Sequence, residues 1–496
     1  MIQLNDSTVQ TLPKDVRWRA YERHAVKPGI VHMSVGNFHR AHQAWFIDQL
    51  LALPGHEGWG ICGVSVLDDE SEREKIAAMQ AQDNLYTLTQ FPPDGTPQTQ
   101  VVGSIIEYIS ASETTDTVLA RLASPQTRLV TLTITEGGYN LDRLGLYRLD
   151  TPEVAAELAA PAHPRTAFGF IVEALRRRRD AGIAPFTVLS CDNLRGNGEV
   201  ARRAALTHAA ALDPMLAGWI NTHVAFPSSM VDRITPAVSP EEAARLNARS
   251  GIEDRLPVYC EAFAQWVIED RFCNGRPSFE LAGVQMVDDV HTYEMAKVRM
   301  LNGSHSVLAY PAQLAGLERV DEAMAEPMLR TLLDDFMEQD VTPYLCAPPG
   351  VDLHAYKESL LARFANPTVS DQLRRITADG AVKLPVFLGG TFAAVLSHGA
   401  PHIRLAFLLA CFVRYLAGVD DQGHRFAPRE PNLQADDLAL ALSPEPRDAL
   451  RMSFLSLCGI EPQGAFAESF LKLRAAMEQD GTMAVLRQVL AVTTHC

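Results

Sequence analysis

The stretch GIVHMSVGNFHRAHQAWFIDQLLAL, Gly29–Leu53, decides the fold. Its first seven residues are apolar and partly β-branched, as in a buried strand, and the residues beyond Gly36 have helical periodicity. A strand that runs through a tight glycine turn straight into a helix opens a dinucleotide-binding unit. Glycine lets the backbone approach a pyrophosphate, and the helix N-terminus offers free N–H groups and the positive end of a dipole. The glycine pattern is thin here, because Ser34, Val35, Gly36 and Asn37 match only the middle of GxGxxG. Gly36, Asn37, Phe38, His39 and Arg40 are the candidate cofactor contacts of this turn.

The chain on either side extends the pattern. WGICGVSVLDD, Trp59–Asp69, reads as a second strand ending in two acidic residues, at the distance a βαβ crossover needs. A carboxylate there accepts hydrogen bonds from the ribose hydroxyls and repels a 2′-phosphate, so Asp68 or Asp69 points to NAD. Either aspartate reads equally as the N-cap of the helix SEREKIAAMQAQ. VVGSIIEYI reads as a further strand, as does RLVTLTI, which runs into TEGGYN, where Glu136 and Gly137 are candidate cofactor contacts. FTVLSCDNLRGNG, Phe186–Gly198, ends a strand at Asp192 and Asn193, and Asn193 reads as a turn residue or as an amide presented to a ligand. AFPSSMVDRITP, Ala225–Pro236, is strand-like and sets Asp232 and Arg233 in apolar surroundings, a candidate structural pair.

From about residue 285 helical patterns dominate. The sequence therefore predicts an α/β fold: a Rossmann-like dinucleotide-binding domain over 1–285, then a mainly α-helical domain over 286–496. Early in the second lies EMAKVRMLNGSHSVLAY, Glu294–Tyr310, one apolar helical run that carries Lys297, Asn302 and His305. At about 100° per residue, Asn302 and His305 fall within about 60° of each other, and His305 lies about 80° round from Lys297. Desolvating a lysine among aliphatic side chains favours its neutral form, which suits a general base for an alcohol proton. Further on, SDQLRRITADGAVKLP places Arg374, Arg375 and Lys383 near a glycine turn, cations suited to a sugar hydroxyl or carboxylate, with two of the three expected to face solvent.

Bulk properties narrow the partners. The formal charge of −16 argues against nucleic acid. The basic run Arg176–Arg179 reads as the solvated last turn of a helix. Eight cysteines without a CxxC pair read as reduced thiols of a cytoplasmic protein, and the N-terminus lacks the basic start and apolar core of a secretory signal. LAFLLACFV, Leu405–Val413, is too short to span a bilayer and reads as a core helix, so no membrane partner is expected.

VGNFHRAHQA, LTITEGGYN, SCDNLRGNG, MVDRITP, FCNGRPSFE, KVRMLNGSH and DGAVKLP, in this order, resemble the motifs of the polyol-specific long-chain dehydrogenases, the family of mannitol 2-dehydrogenase, fructuronate reductase and arabinitol dehydrogenase. The resemblance runs from about Gly29 to the C-terminus. It implies metal-independent, NAD-dependent oxidation of a polyol at C2 to the ketose, and the reverse reduction. Lys297 would act as general acid/base, Asn193 and Asn302 as donors to the reacting oxygen, and His305 as the orienting group. Asp232 and Arg375 map to substrate contacts, with Lys383 in a neighbouring motif, and Glu294 is a candidate proton relay or a simple ion-pair partner of Lys297. One departure is Ser34, which stands where the family usually has the first glycine of GxGxFHRAH, and weakened cofactor binding is expected from it. The expected partners are a small polyol or ketose and, at most, a few copies of the same chain. Fructuronate (mannonate) and arabinitol remain alternative substrates. Two other classes compete: a metal hydrolase built on His39 and His42 of HRAH with His32 close by, for which no third ligand is evident and the HExxH glutamate is absent, and a non-catalytic NAD-binding regulator, which would not need the Lys297, Asn302, His305 set.

Overall fold

The strand expected at the head of Gly29–Leu53 is Pro28–Met33 (β1), buried at every position. The computed structural model describes residues 1–19, 21–67, 69–93, 95–111, 115–142, 145–369 and 371–493. Asp68, one of the two acidic candidates for the ribose, lies outside the described residues. The chain divides into two units, Met1–His291 and Thr292–Cys496.

In the first unit β1 is followed by β2 (Gly60–Ser65), β3 (Ile105–Ser110), β4 (Leu129–Leu132) and β5 (Thr187–Ser190), which form one sheet in the order β3-β2-β1-β4-β5. All neighbours pair in parallel. Parallel strands covered on both faces read as unbroken apolar runs, and β1, β2, β4 and β5 are buried throughout. The order reverses between β1 and β4. In an open α/β sheet the carboxyl ends of the strands on either side of such a reversal frame the ligand crevice.

The helices of this unit begin with α1 (Asn37–Ala41) and α2 (Gln43–Leu51), split at His42, and α3 (Glu70–Gln80). Then come α4 (Thr135–Gly138), α5 (Ala167–Asp180) and α6 (Asn197–Leu212). A smaller sheet follows, with β6 (Ser229–Asp232) antiparallel to β7 (Gln265–Glu269) and β7 parallel to β8 (Gln285–Val287). Strand β8 shows that sheet pairing continues past residue 285, and the division between units falls after His291.

Two local expectations are corrected. VVGSIIEYI is not one strand. Gln98–Val102 pairs with Tyr86–Phe91 in a separate four-stranded sheet, while β3 joins the main one. The break falls at Gly103, whose N–H donates to buried Asp48 at 2.9 Å, and Ser104, whose hydroxyl donates to Ala44 O at 2.6 Å. The run Arg176–Arg179 is not wholly solvated either. Arg178 is fully buried and donates to the carbonyls of Leu122, Ser124 and Ala184. Arg176 and Arg177 both pair with Glu173, as the last turn of a helix allows.

The second unit is helical. It opens within α7 (His291–Ala296), whose first residue is the last of the first unit and which runs into a π-helical turn, Lys297–Asn302, and then into α8 (Gly303–Leu314). Around α8 pack α9 (Leu353–Phe364), the short α10 (Leu373–Ile376), α11 (Gly380–Ser397) and α12 (Ile403–Leu416), over a core running from Met300 to Val489. Helix α12 carries the apolar run read as a core helix, and Leu405–Val413 is buried throughout. Arg404, just before it, is buried and forks onto Asp340 at 2.6 and 2.9 Å. The longest apolar helix is α11, with mean hydropathy 1.5 over 18 residues, which is enough by length and composition to cross a membrane. It is docked on the core through Leu384, Leu388, Phe392 and Val395.

Candidate active site

In the first unit the candidate residues gather at the reversal between β1 and β4. The turn after β1 passes through Ser34, whose φ is 72°, into Gly36, which precedes α1 in an extended conformation. The turn expected to change where serine replaces glycine thus keeps a glycine-like backbone. Thr133, just past β4, donates its hydroxyl to Ser34 O at 2.8 Å, and His32 lies beneath the turn with Nε2 2.9 Å from the same hydroxyl.

His39 and Arg40, read as cofactor contacts, point into the protein. His39 is fully buried and stacked on His32, ring centres 3.4 Å apart, and burial and then the neighbouring His32 hold its pKa well below the usual imidazole value. Arg40 donates to Leu256 O and, at 2.7 Å, to Asn37 Oδ1, with its guanidinium over the Tyr86 ring. These two side chains shape the turn from inside. His42, the other histidine of the metal reading, faces Gln265 O at 2.9 Å. Asn37 and Phe38 are half-buried on the helix that leaves the turn, and Phe38 stacks on His42. Asp69 is exposed and caps α3, its Oδ1 accepting from Glu72 N at 2.8 Å, so the capping alternative describes that oxygen.

The loops after β4 and β5 are tied by a residue to which the sequence reading gave no role. Asp192, buried, accepts from Ile134 N at 3.1 Å, Thr135 N at 2.8 Å and Tyr139 OH at 2.8 Å. Burial raises its pKa above the usual carboxylate range against the pull of those donors. Glu136 and Gly137 are exposed on the turn so fixed, and Asn193, next to Asp192, is exposed as well. Asn197, also buried, bridges the β5 loop to β6: its amide nitrogen donates to Asp192 O at 3.0 Å and Ser229 O at 2.8 Å, and its oxygen accepts from Ser229 N at 2.9 Å. Asp232 ends β6 and is buried. Arg233 donates to Glu261 O at 3.1 Å and Ala41 O at 2.6 Å and lies over Trp45. The clue in the sequence was the DN pair at a strand end and the tyrosine of TEGGYN.

In the second unit Lys297 and Asn302 bound the π turn, so the uniform advance of about 100° per residue does not hold between them. A π turn hydrogen-bonds i to i+5 and is wider, and such turns recur at functional sites. Lys297 is 7% exposed and Glu294, one turn before it, 6%. Asn302 is half-buried, and its Oδ1 is buried with no hydrogen-bond partner among the described residues. The turn rests on α11 through a close approach: a side chain at Gly390 would collide with the Arg299 guanidinium, which donates to Tyr344 O at 3.1 Å.

His305 stacks on Phe364 of α9, centroids 4.2 Å apart and planes 19° from parallel. Arg375 is bound to Asp371, Nε to Oδ1 at 2.8 Å. Although burial opposes it, Arg375 and then His305 hold the Asp371 pKa below its usual value, which puts the Asp371–Arg375 pair within electrostatic reach of His305. The Lys383 ammonium donates to Ile376 O at 3.1 Å and Arg375 O at 3.3 Å, closing the end of α10. Arg374 and Arg375 are the two exposed cations of this group.

Residues 28–281 match the mannitol dehydrogenase Rossmann domain, and residues 289–469 match the mannitol dehydrogenase C-terminal domain. The chain belongs to the mannitol dehydrogenase family. Within that family's relatives it is 44% identical to the polyol:NADP oxidoreductase of Gluconobacter oxydans (strain 621H), over 90% of this chain and 92% of that one. Two solved structures align along nearly the whole length. Substrate-free D-sorbitol dehydrogenase aligns with a TM-score of 0.93 and 40% identity, over 98% of this chain and all of that one. Pseudomonas fluorescens mannitol 2-dehydrogenase, solved as a ternary complex with NAD and D-mannitol, aligns with a TM-score of 0.87 and 38% identity, over 99% and 100%.

The Rossmann domain of this family implies a nicotinamide dinucleotide, and the turns of the first unit fit one. Neither Gly36 nor Gly137 has a left-handed backbone, and a Cβ on either would meet nothing within 4 Å. Neither the fold nor a neighbouring side chain demands glycine there. The backbone at these two positions is open to the close approach of a group from outside the chain.

Proposed function

We propose that this chain interconverts a polyol and its ketose at C2 with NAD as the preferred cofactor, mannitol and fructose being the leading pair. The observation that carries the reading is the π turn of the second unit, where a buried lysine shares one turn with an amide whose buried oxygen has no partner among the described residues. Polyol specificity is supported by kinship to mannitol 2-dehydrogenase and polyol oxidoreductase relatives.

When bound, the nicotinamide supplies the hydride acceptor for oxidation and the donor for reduction. The side chains do the rest. Lys297, as a neutral amine, takes the proton of the C2 hydroxyl in oxidation and returns it in reduction. Asn193 and the Asn302 amide nitrogen donate to the C2 oxygen as negative charge grows on it. The unpartnered Asn302 Oδ1 accepts from a neighbouring hydroxyl, since a polyol offers donor and acceptor on each carbon. His305, its ring plane fixed by Phe364, hydrogen-bonds a hydroxyl further along the substrate, with Arg375 and Asp232 as additional substrate contacts. Lys383, spent on closing α10, acts through the position of Arg375. Glu294 serves as the proton's route from Lys297 toward solvent. Asp69 keeps one carboxylate oxygen on its helix and turns the other to the ribose, favouring NAD.

A uronate substrate is the second reading, favoured by one feature: Arg374 is an exposed cation able to receive a C6 carboxylate, beside Arg375, whose guanidinium is already bound to Asp371. A panel of mannitol, sorbitol, arabinitol and mannonate, each with NAD and NADP, together with the reverse reactions, separates the readings. The proposal expects the highest kcat/KM with an uncharged polyol and NAD. Turnover with mannonate alone would install the uronate reading, and no turnover with any substrate would leave a cofactor-binding regulator.

A further inference from the structure

Six described residues other than glycine have a positive φ, and four of them are Asp or Asn, which tolerate that region. The other two are Ser34, at 72°, and Thr135, at 58°. They follow β1 and β4, the two strands on either side of the reversal in the sheet. Such residues are strained and persist only where their surroundings over-determine them. Thr135 is held by its N–H bond to Asp192. The holder of Ser34 is a different set of groups.

We infer that a directed set of hydrogen bonds, from Thr131 through His32 and Thr133 to the carbonyl of Ser34, locks Ser34 in a glycine-like conformation and so shapes this turn for the diphosphate of the cofactor. The inference rests on the reading of the turn as the cofactor site.

Proton counting gives the set its direction. The Ser34 carbonyl can only accept, and it lies 2.8 Å from the Thr133 hydroxyl and 3.2 Å from His32 Nε2. With the Thr133 proton committed to that carbonyl, its oxygen must accept from His32 Nε2, 2.9 Å away. Burial pushes the His32 pKa down to about 3, so the ring is neutral and carries one proton, on Nε2. Nδ1 is then an acceptor, and the Thr131 hydroxyl donates to it at 2.7 Å. The Thr131 hydroxyl also lies 3.0 Å from Gln43 Oε1, while Gln43 Nε2 is buried with no partner among the described residues; exchanging the two amide atoms gives that nitrogen an acceptor in the Thr131 oxygen and leaves the Thr131 proton for His32 Nδ1. Stacking on His39, at 10° from parallel, fixes the plane of the His32 ring. The Thr133 N–H donates to Met33 O at 3.2 Å, which sets where the Thr133 hydroxyl stands. The Thr133 hydroxyl thus donates to the Ser34 carbonyl, His32 Nε2–H shares its one proton between the Thr133 oxygen and that carbonyl, and the peptide that a left-handed serine would otherwise let turn is held. Thr133 and His32 are positioning residues, acting through Ser34.

The test is a double-mutant cycle on the full chain, read by titration of NADH and of NADPH followed by nicotinamide fluorescence. Thr133→Val removes the hydroxyl at nearly constant volume, and Ser34→Gly removes the strain that the hydroxyl holds. Thr133→Val is expected to weaken cofactor binding roughly tenfold in the native background and less than about twofold in the Ser34→Gly background. Thr133→Ser is expected to bind as the native chain does, and the KM for polyol to stay unchanged throughout. Equal losses in both backgrounds, or none in either, would overturn the lock. If Thr133→Val does not fold, folding restored by Ser34→Gly supports the lock, and failure in both backgrounds contradicts it. Gly36→Val separates the inference from the reading beneath it. Normal cofactor binding by that variant would remove the cofactor site from this turn, whereas lost binding beside a harmless Thr133→Val would remove the lock alone.

Discussion

The turn after β1 and the π turn at Lys297 both depart from regular backbone geometry, and they treat their polar groups in opposite ways. Around Ser34 the donors and acceptors of His32, Thr131 and Thr133 are satisfied by one another, and a strained residue is held in place. On the π turn and the first turn of α8, Asn302 Oδ1 and Ser304 Oγ are buried with no partner among the described residues. A buried polar group left unpaired costs roughly 1–3 kcal/mol, so an open amide is not a neutral feature. The difference fits the two tasks proposed for them. The turn we assign to the diphosphate has its Ser34 carbonyl completed by the protein itself, although both ring nitrogens of buried His39 beside it have no partner among the described residues. The turn we assign to a hydroxylated substrate holds hydrogen-bonding capacity in reserve.

Five variants break or sharpen that contrast. The largest effect is expected from Lys297→Ala, which should lower kcat by about 10² to 10⁴ while NADH binding, which we assign to the other turn, is kept. Fluorescence titration beside steady-state rates reads both, and loss of cofactor binding would erase the separation of tasks.

Next come two buried amides compared directly. Asn302→Ala should cost about 10² to 10³ in kcat with little change in thermal stability, because its oxygen leaves no partner stranded. Asn197→Ala should destabilise the first unit by about 1–3 kcal/mol, because Ser229 N and the carbonyls of Asp192 and Ser229 lose their partner. Equal stability losses in calorimetry would show that Asn302 is as structural as Asn197.

Asp69→Asn is a smaller step. Asparagine caps a helix as well as aspartate, so stability should hold while the ratio of kcat/KM for NADPH over NADH rises roughly tenfold, about 1.4 kcal/mol. An unchanged ratio would move cofactor selection to another residue.

The smallest effect concerns pH. Glu430 accepts from the N–H groups of Gly380 and Ala381 at the start of α11, and burial raises its pKa from 4.5 to about 7 against those bonds. A carboxyl that holds its proton more tightly when folded stabilises below its unfolded pKa, and that contribution fades as pH rises through the folded value. The thermal midpoint should therefore drift down between about pH 4.5 and 7, and Glu430→Gln should flatten the drift. A midpoint that rises over this window would contradict the assignment.

What the sequence made legible follows from which contacts are local. Strand β1 is buried on both faces, so its apolar run announced it, and the glycine turn and helix after it follow in series. Lys297, Asn302 and His305 stood out because polar side chains interrupt an apolar helix. The π turn was invisible, because the spacing of apolar residues is nearly the same when one turn widens. The conformation of Ser34 was hidden for another reason: its holder, Thr133, is 99 residues away. The split of VVGSIIEYI likewise depends on Asp48 and Ala44, which reach Gly103 and Ser104 only in the folded chain. Asp69 was legible as a candidate for either of two roles, and the structure fixes one of its oxygens as the helix cap.

The most direct test of the central claim is the pH profile of kcat/KM for polyol oxidation, measured for the native chain and for Lys297→Ala. With Lys297 as the base, the native rate falls on the acid side through a single ionisation, and the residual rate of the variant lacks that ionisation. A variant that keeps both the native profile and most of the native rate would contradict the account.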